Sequence, residues 1–188
     1  EKEKSKTKWR VMEYCYESNS LMSEWFLRKG HNATCMGLPD WDLRTESAAR
    51  AVVRSAQQAL EAGEHILLWA ALPCTPWSSW QYVNANISPQ SAAKIEKARQ
   101  ESIQMLRLFL WVLRTVLRIG GQRVVAAFEW PRGAIGWQLD VCKELIEMLP
   151  ITCRFDGCRY GLVSEQGYIK KPWRVQTSRI ELEEPLSQ

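Results

Sequence analysis

Cys74 lies between two prolines, in the stretch Leu72-Pro73-Cys74-Thr75-Pro76-Trp77-Ser78, directly after the apolar run of residues 65–71. The prolines stiffen the backbone on either side of it, and a thiol held in a loop at a strand end is placed as a nucleophile. A second reactive group follows another apolar run: Phe128-Glu129-Trp130-Pro131-Arg132 puts a carboxyl group at the end of residues 123–128. On neighbouring parallel strands, the thiol and the acid emerge at one edge of the sheet. Such a pair suits covalent attack on an electron-poor ring, with the acid protonating or hydrogen-bonding the ring. Plainer readings stand beside these. Cys is often a buried structural residue, and Glu129 would equally pair with Arg132 or cap a following helix.

The elements that must position these residues alternate between strand and helix. Residues 9–15 read as a first strand, and Asn19 and Ser20 offer caps to a helix over 21–29 that stops at Gly30. A second strand covers 32–36, followed by a turn at 37–40. Thr45 caps a helix ending at Gly63, and 65–71 is continuous enough in apolar residues to be a central strand buried on both faces. A loop over 72–89 leads to a long helix over 91–119, broken by Gly120-Gly121. A strand at 123–128, a helix at 137–148 and three short strands within 151–177 complete the pattern. Four alternations predict an α/β, Rossmann-like, doubly wound and mostly parallel sheet with helices on both faces and an antiparallel C-terminal edge. Ligands of such sheets bind at the carboxyl ends of the strands. The domain is expected over 9–180, with a charged tail at 1–8 and a short tail at 181–188.

Composition narrows the function classes. With 46% hydrophobic and 24% charged residues the chain reads as globular, and a net charge of +4 permits contact with nucleic acid without demanding it. Helix 91–119 carries Arg107, Arg114 and Arg118 within its apolar run, so no membrane span is expected. Its basic residues read as a solvated face. Six Cys without regular spacing and only two His argue for neither a disulfide framework nor a zinc site, and for a reducing, intracellular setting, nuclear or cytoplasmic. The chain does not begin with Met, which reads as a segment of something longer. Ten Trp are an unusual share; most are expected in the core, with Trp77, Trp80 and Trp130 able to stack on a ring or to plug a gap.

Pro73-Cys74-Thr75-Pro76-Trp77-Ser78 resembles the Pro-Cys-Gln-x-Phe-Ser loop of the cytosine-C5 methyltransferases, and Phe128-Glu129-Trp130-Pro131 resembles their Phe-Glu-Asn-Val segment. Farther on, Cys158-Arg159-Tyr160-Gly161 and Lys171-Pro172-Trp173-Arg174-Val175-Gln176-Thr177 are similar to the Cys-x-Tyr-Gly and Lys-Pro-Thr-x-x-x-Thr stretches of phage-type members. The order agrees, and the resemblance covers residues 11–177. A looser likeness extends to methyltransferase-like segments of mobile-element polyproteins. The resemblance implies that Cys74 attacks C6 of a cytosine while Glu129 contacts N3 and the exocyclic amine. It implies S-adenosylmethionine as methyl donor and nucleic acid as partner, DNA ahead of RNA, with the base flipped out of any duplex. Arg159 or Arg174 would steady the target base or its phosphate.

The chain departs from the family pattern at the cofactor loop. Where the family has Phe-x-Gly-x-Gly after its first strand, this chain has Glu13-Tyr14-Cys15-Tyr16-Glu17-Ser18-Asn19-Ser20, without glycine. Glu13, Ser18, Asn19 and Ser20 are the cofactor candidates there, with Pro73 beside them and Asp40 or Asp42 for the ribose hydroxyls. For the two aspartates a turn or capping role is the plainer reading. The chain ends about where the family's target-recognition domain would begin, so a minimal member lacking that domain is expected, and the interval from Cys74 to Glu129 is longer than is common. Two functions follow: an active transferase, or a retired methyltransferase fold that binds nucleic acid or other segments of a polyprotein. A Cys-based hydrolase or deaminase is weaker, because no His and no metal-ligand set accompanies Cys74.

Overall fold

The computed structural model describes residues 7–15 and 20–186. Its centre is a six-stranded sheet whose strands are β1 (Trp9–Tyr14), β2 (Asn32–Met36), β3 (His65–Ala70), β4 (Val124–Pro131), β5 (Ile151–Asp156) and, after a small hairpin of β6 (Val163–Ser164) and β7 (Gly167–Tyr168), β8 (Pro172–Thr177). The order is β2-β1-β3-β4-β8-β5. The first four strands are mutually parallel, and β8 runs antiparallel between β4 and β5. The expected Rossmann-like α/β sheet with an antiparallel C-terminal end is therefore present.

Among the described residues, six α-helices connect and cover the strands: α1 (Leu21–Arg28), α2 (Glu46–Glu61), α3 (Trp80–Ala85), α4 (Pro89–Gly120), α5 (Asp140–Met148) and α6 (Glu183–Leu186). The caps are where the sequence puts them. Ser20 accepts from the Ser23 N–H at 3.2 Å, and Thr45 from the Ala48 N–H at 3.2 Å. Neighbouring residues of β1 show that the helices flank both faces. Glu13 turns to α1, where Ser20 and Ser23 donate to it, while Tyr14 turns the other way and packs on Phe109 of α4 at 5.0 Å. The main core fills the α4 side, with Met12, Leu68, Ala126 and Phe128 of the sheet against Val52, Leu106, Phe109 and Leu113.

The structure differs locally from the sequence reading. The segment 151–177 holds four strands where three were expected, because the short β6–β7 hairpin stands apart from the main sheet between β5 and β8. The loop over 72–89 contains a single helical turn, Thr75–Trp77, and then α3. Strand β4 runs on to Pro131 because β8 pairs with it from Ala127 to that residue. The helix read over 137–148 is divided: a turn at Ile135–Gln138 ends in the extended Leu139 (φ −63°, ψ 142°), and α5 starts after it. Among the described residues, no helix is long and apolar enough to cross a membrane.

Candidate active site

Strand β1 is followed in the sheet by β2 on one side and β3 on the other, so the chain leaves the carboxyl ends of β1 and β3 in opposite directions. That opens a crevice between them, the place where parallel sheets bind ligands. A cavity of about 560 Å³ occupies it. Its walls include Tyr14 and Cys15 at the end of β1, Pro73 and Cys74 after β3, Glu129 on β4 and Trp173 on β8. The thiol and the carboxyl group thus share one cavity, on adjacent parallel strands. The Cys74 carbonyl accepts from the Trp77 N–H at 2.9 Å, closing the turn that holds the thiol. Trp130 fixes the same loop by donating from its indole to the Leu72 carbonyl at 2.7 Å.

Glu129 is half-buried at this cavity, and the low-polarity surroundings push its carboxyl group up to about 7, against the pull of the Lys171 ammonium and a hydrogen bond from the Trp69 side chain. At neutral pH such an acid exists in both protonation states, which is what a group that must give and take one proton requires. Burial also pushes the Cys74 thiol up; Lys171 opposes the shift and the Glu129 carboxylate adds to it. Lys171 therefore acts on both groups. Its ammonium stands 4.1 Å from the ring centre of Trp173, a wall of the cavity.

The cofactor candidates divide. Glu13, Ser20 and Pro73 line the cavity. Glu13 is already engaged, accepting from both serine hydroxyls of the α1 cap and from the Ser23 N–H at 3.1 Å. A carboxylate there is favoured by the positive end of the helix. Ser18 and Asn19 lie outside the described residues. Cys15 takes a left-handed conformation (φ 68°), a step that glycine makes without strain, and its N–H donates to the Met36 carbonyl at 2.8 Å. A second cavity, of about 730 Å³, adjoins the first through Cys15 and Pro73, which line both. Trp41 and Asp42 stand on its wall. Asp42 is bonded to Arg44 at 2.8 and 3.0 Å, and that guanidinium holds its carboxyl group below the usual range. Asp40 is exposed in the turn after β2 and lines neither cavity.

The two arginine candidates stand away from the thiol. Arg159 is exposed in the single turn at Gly157–Tyr160 and lines neither of these cavities. Arg174 faces the other side of the sheet from Glu129, because Trp130 is its partner in the β4–β8 register. It stacks on Trp137 at 4.3 Å. Lys171, Trp69 and Trp173 are the site residues that sequence reading passed over. Lys171 opens the quoted Lys-Pro stretch, so position alone could have found it. Compared with protein-family models, curated proteins and solved structures, the chain matches none.

Proposed function

We propose that this domain is built for methyl transfer to C5 of a cytosine in nucleic acid, through a covalent adduct on Cys74. The observation that carries the reading is the shared cavity of Cys74 and Glu129 at the switch point of a Rossmann-like sheet. In it the thiolate Sγ of Cys74 adds to C6 of the ring while Glu129 in its protonated form donates to N3, which makes C5 the nucleophilic carbon that takes the methyl group. Loss of the C5 proton to solvent and of Sγ from C6 then restores the ring double bond and frees Cys74. Lys171 takes the place that the resemblance gives to Arg159 or Arg174: its positive charge favours the thiolate of Cys74 and offsets the carboxylate beside it.

S-adenosylmethionine, when bound, supplies the electrophilic methyl group. The residues fit such a donor in position and size. The two cavities joined at Cys15 and Pro73 offer two lobes, each within the range of about 300–1,000 Å³ typical of small-ligand sites. Trp41 gives an aromatic wall, and Asp42, with three of its lone-pair sites taken by the guanidinium and the N–H of Arg44, retains one acceptor site for a ribose hydroxyl.

A direct test is an SDS-stable adduct with single-stranded DNA containing 5-fluorocytosine in the presence of S-adenosylmethionine. The wild type is expected to form it and Cys74→Ser to lose it. Absence of the adduct while S-adenosylmethionine binds overturns the reading. The alternative is a retired fold that binds without transfer. It is favoured by the upward push on the Cys74 thiol and by the engagement of Glu13 with the α1 cap. Calorimetric titration with S-adenosylmethionine separates the two: micromolar affinity supports the transferase, and no heat at millimolar ligand supports the retired fold.

A further inference from the structure

Behind the cavity of Cys74, across the end of the sheet, lies another of about 540 Å³. Three chain segments contribute neighbouring residues to the two cavities. Thr75 lines the first and Trp77 the second; Pro131 the first and Arg132 the second; Trp173 the first and Arg174 the second. The two are thus back to back, with the carboxyl end of β4 and the start of β8 as their partition. The second is lined by aromatic rings, Tyr82 and Trp137 among them, together with two guanidinium groups and the small residues Gly133 and Ala134.

Two further observations indicate what this cavity would take. Arg154 and Arg174 stand directly opposite each other in the β5–β8 register, a like-charge pair that weakens a sheet unless an anion lies between them. Among the described residues neither forms an ion pair with a carboxylate. Arg174 is instead fixed by the Trp137 ring and, with the Gln176 amide oxygen turned toward it, by bonds of 2.7 and 2.8 Å to that amide. It is positioned but not neutralised. The repulsion is felt in its guanidinium, which burial and Arg154 both push down. Arg132, the other guanidinium of the cavity, reaches Asp156 only at 3.6 Å and shares that carboxylate with Lys170. The second observation is the rim. Residues 75–90 carry no charge at all, and α3 with its following turn exposes Trp80, Tyr82, Val83 and Ile87, from 58% to 72% of each. Exposed aromatic faces beside guanidinium groups with charge to spare form the stacking and phosphate contacts of a single-strand binding groove.

We infer that this second cavity is a subsite for a nucleotide flanking the target in a single strand of nucleic acid, with its phosphate against Arg174 and Arg132 and its base against Tyr82. The strand crosses the end of the sheet over Pro131 and Arg132, so that one base enters the Cys74 cavity from one face while its neighbour is held on the other. This rests on the proposed action on nucleic acid, and it gives the chain a grip on the strand beside the reacting base.

The test uses the full chain carrying Cys74→Ser, so that no adduct forms, and fluorescence anisotropy of a labelled twelve-nucleotide strand at several salt concentrations. Tyr82→Ala is expected to weaken binding about ten-fold with an unchanged salt slope, because it removes stacking. Arg174→Gln and Arg132→Gln are expected to weaken it and to flatten the salt slope by about 0.7 for each phosphate left without its guanidinium. Arg132 is exposed, so its variant reports even where Arg174→Gln unfolds. Arg118→Gln, in the last turn of α4 at the opposite end of the sheet, is the control. Equal affinity in all the variants, or an equal weakening in the control, overturns the subsite, as does tighter binding of a duplex than of a single strand. Selective weakening with DNA or with RNA supports it and names the strand. An adduct in wild type with unaffected binding in these variants removes the subsite and leaves the chemistry. Weakened binding without any adduct does the reverse.

Discussion

Trp69 of β3 and Glu129 of β4 wall the same cavity, with Trp69 in register with Ala127, and the Trp69 side chain, as a hydrogen-bond donor, lowers the pKa of the Glu129 carboxyl group. The bond favours the carboxylate, yet burial outweighs it and the acid titrates near 7 in place of the ordinary 4.5. The folded protein therefore holds this proton more tightly than the unfolded chain does. Its contribution to stability is full below pH 4.5 and is lost as pH rises to and through 7. The loss is at most on the order of 3 kcal/mol. Glu129→Gln keeps an acceptor for Trp69 and has no proton to lose. It is expected to match wild type near pH 4.5 in urea unfolding and to exceed it by a few kcal/mol at about pH 8.5. Equal stability at both pH values removes the buried-acid account.

Cys74 should respond to its neighbours in opposite directions. Lys171 favours the thiolate and Glu129 disfavours it. Iodoacetamide labelling of Cys74, followed by peptide mass spectrometry at about pH 8, should slow roughly two- to five-fold in Lys171→Met and accelerate by a similar factor in Glu129→Gln. Cys142 and Cys153, both fully buried, serve as unlabelled references in the same digest. Unchanged rates in both variants would mean that neither charge reaches the thiol.

Much of this site was legible from residue order, and the reasons can be traced. Strands β3 and β4 stood out as apolar runs, and that marks their ends, where Cys74 and Glu129 sit. The expected burial on both faces of 65–71 is not met, since His65, Leu67 and Trp69 on one face of β3 are only half-buried. Ser20 and Thr45 announced their helices by type and position. Sheet order was not legible. Nothing local says that β8 enters beside β4, yet that insertion brings Trp173 to the cavity, with Lys171 against its ring, and sends Arg174 to the far face. At the β1 exit the sequence shows no glycine, and Cys15 adopts the left-handed conformation there, which residue type alone did not announce.

Tyr14 offers a test of the wall behind the thiol. It is fully buried, and its hydroxyl has no hydrogen-bond partner among the described residues. Burial and the neighbouring Cys15 push its phenol well above the ordinary range, so it stays protonated. A buried donor without a partner carries a desolvation penalty of about 1–3 kcal/mol. Tyr14→Phe removes the hydroxyl and keeps the packing on Phe109. It is expected to leave the melting temperature unchanged or raise it by a few degrees. A clear loss of stability would indicate a partner for the hydroxyl that the static structure does not show.

Gly136 is where the two cavities depend on one atom that is absent. A Cβ there would stand 2.6 Å from Cζ3 of Trp130 and 2.8 Å from Cγ of Trp77. Neither ring can retreat freely, since Trp130 donates to the Leu72 carbonyl at 2.7 Å and Trp77 to the Ser102 hydroxyl at 2.8 Å. Gly136→Ala is therefore expected to destabilise by about 1–3 kcal/mol, as overpacking of a closed core does. Gly133→Ala, three residues earlier with open space around it, should stay within about 0.5 kcal/mol of wild type. Trp130 holds the loop that carries Cys74, and Trp77 lines the second cavity, so the Gly136 variant should also impair adduct formation and strand binding together. Thermal melts and both assays on the same two variants check this. A stable Gly136→Ala protein with both activities intact would show that the two indoles are not the rigid partition described.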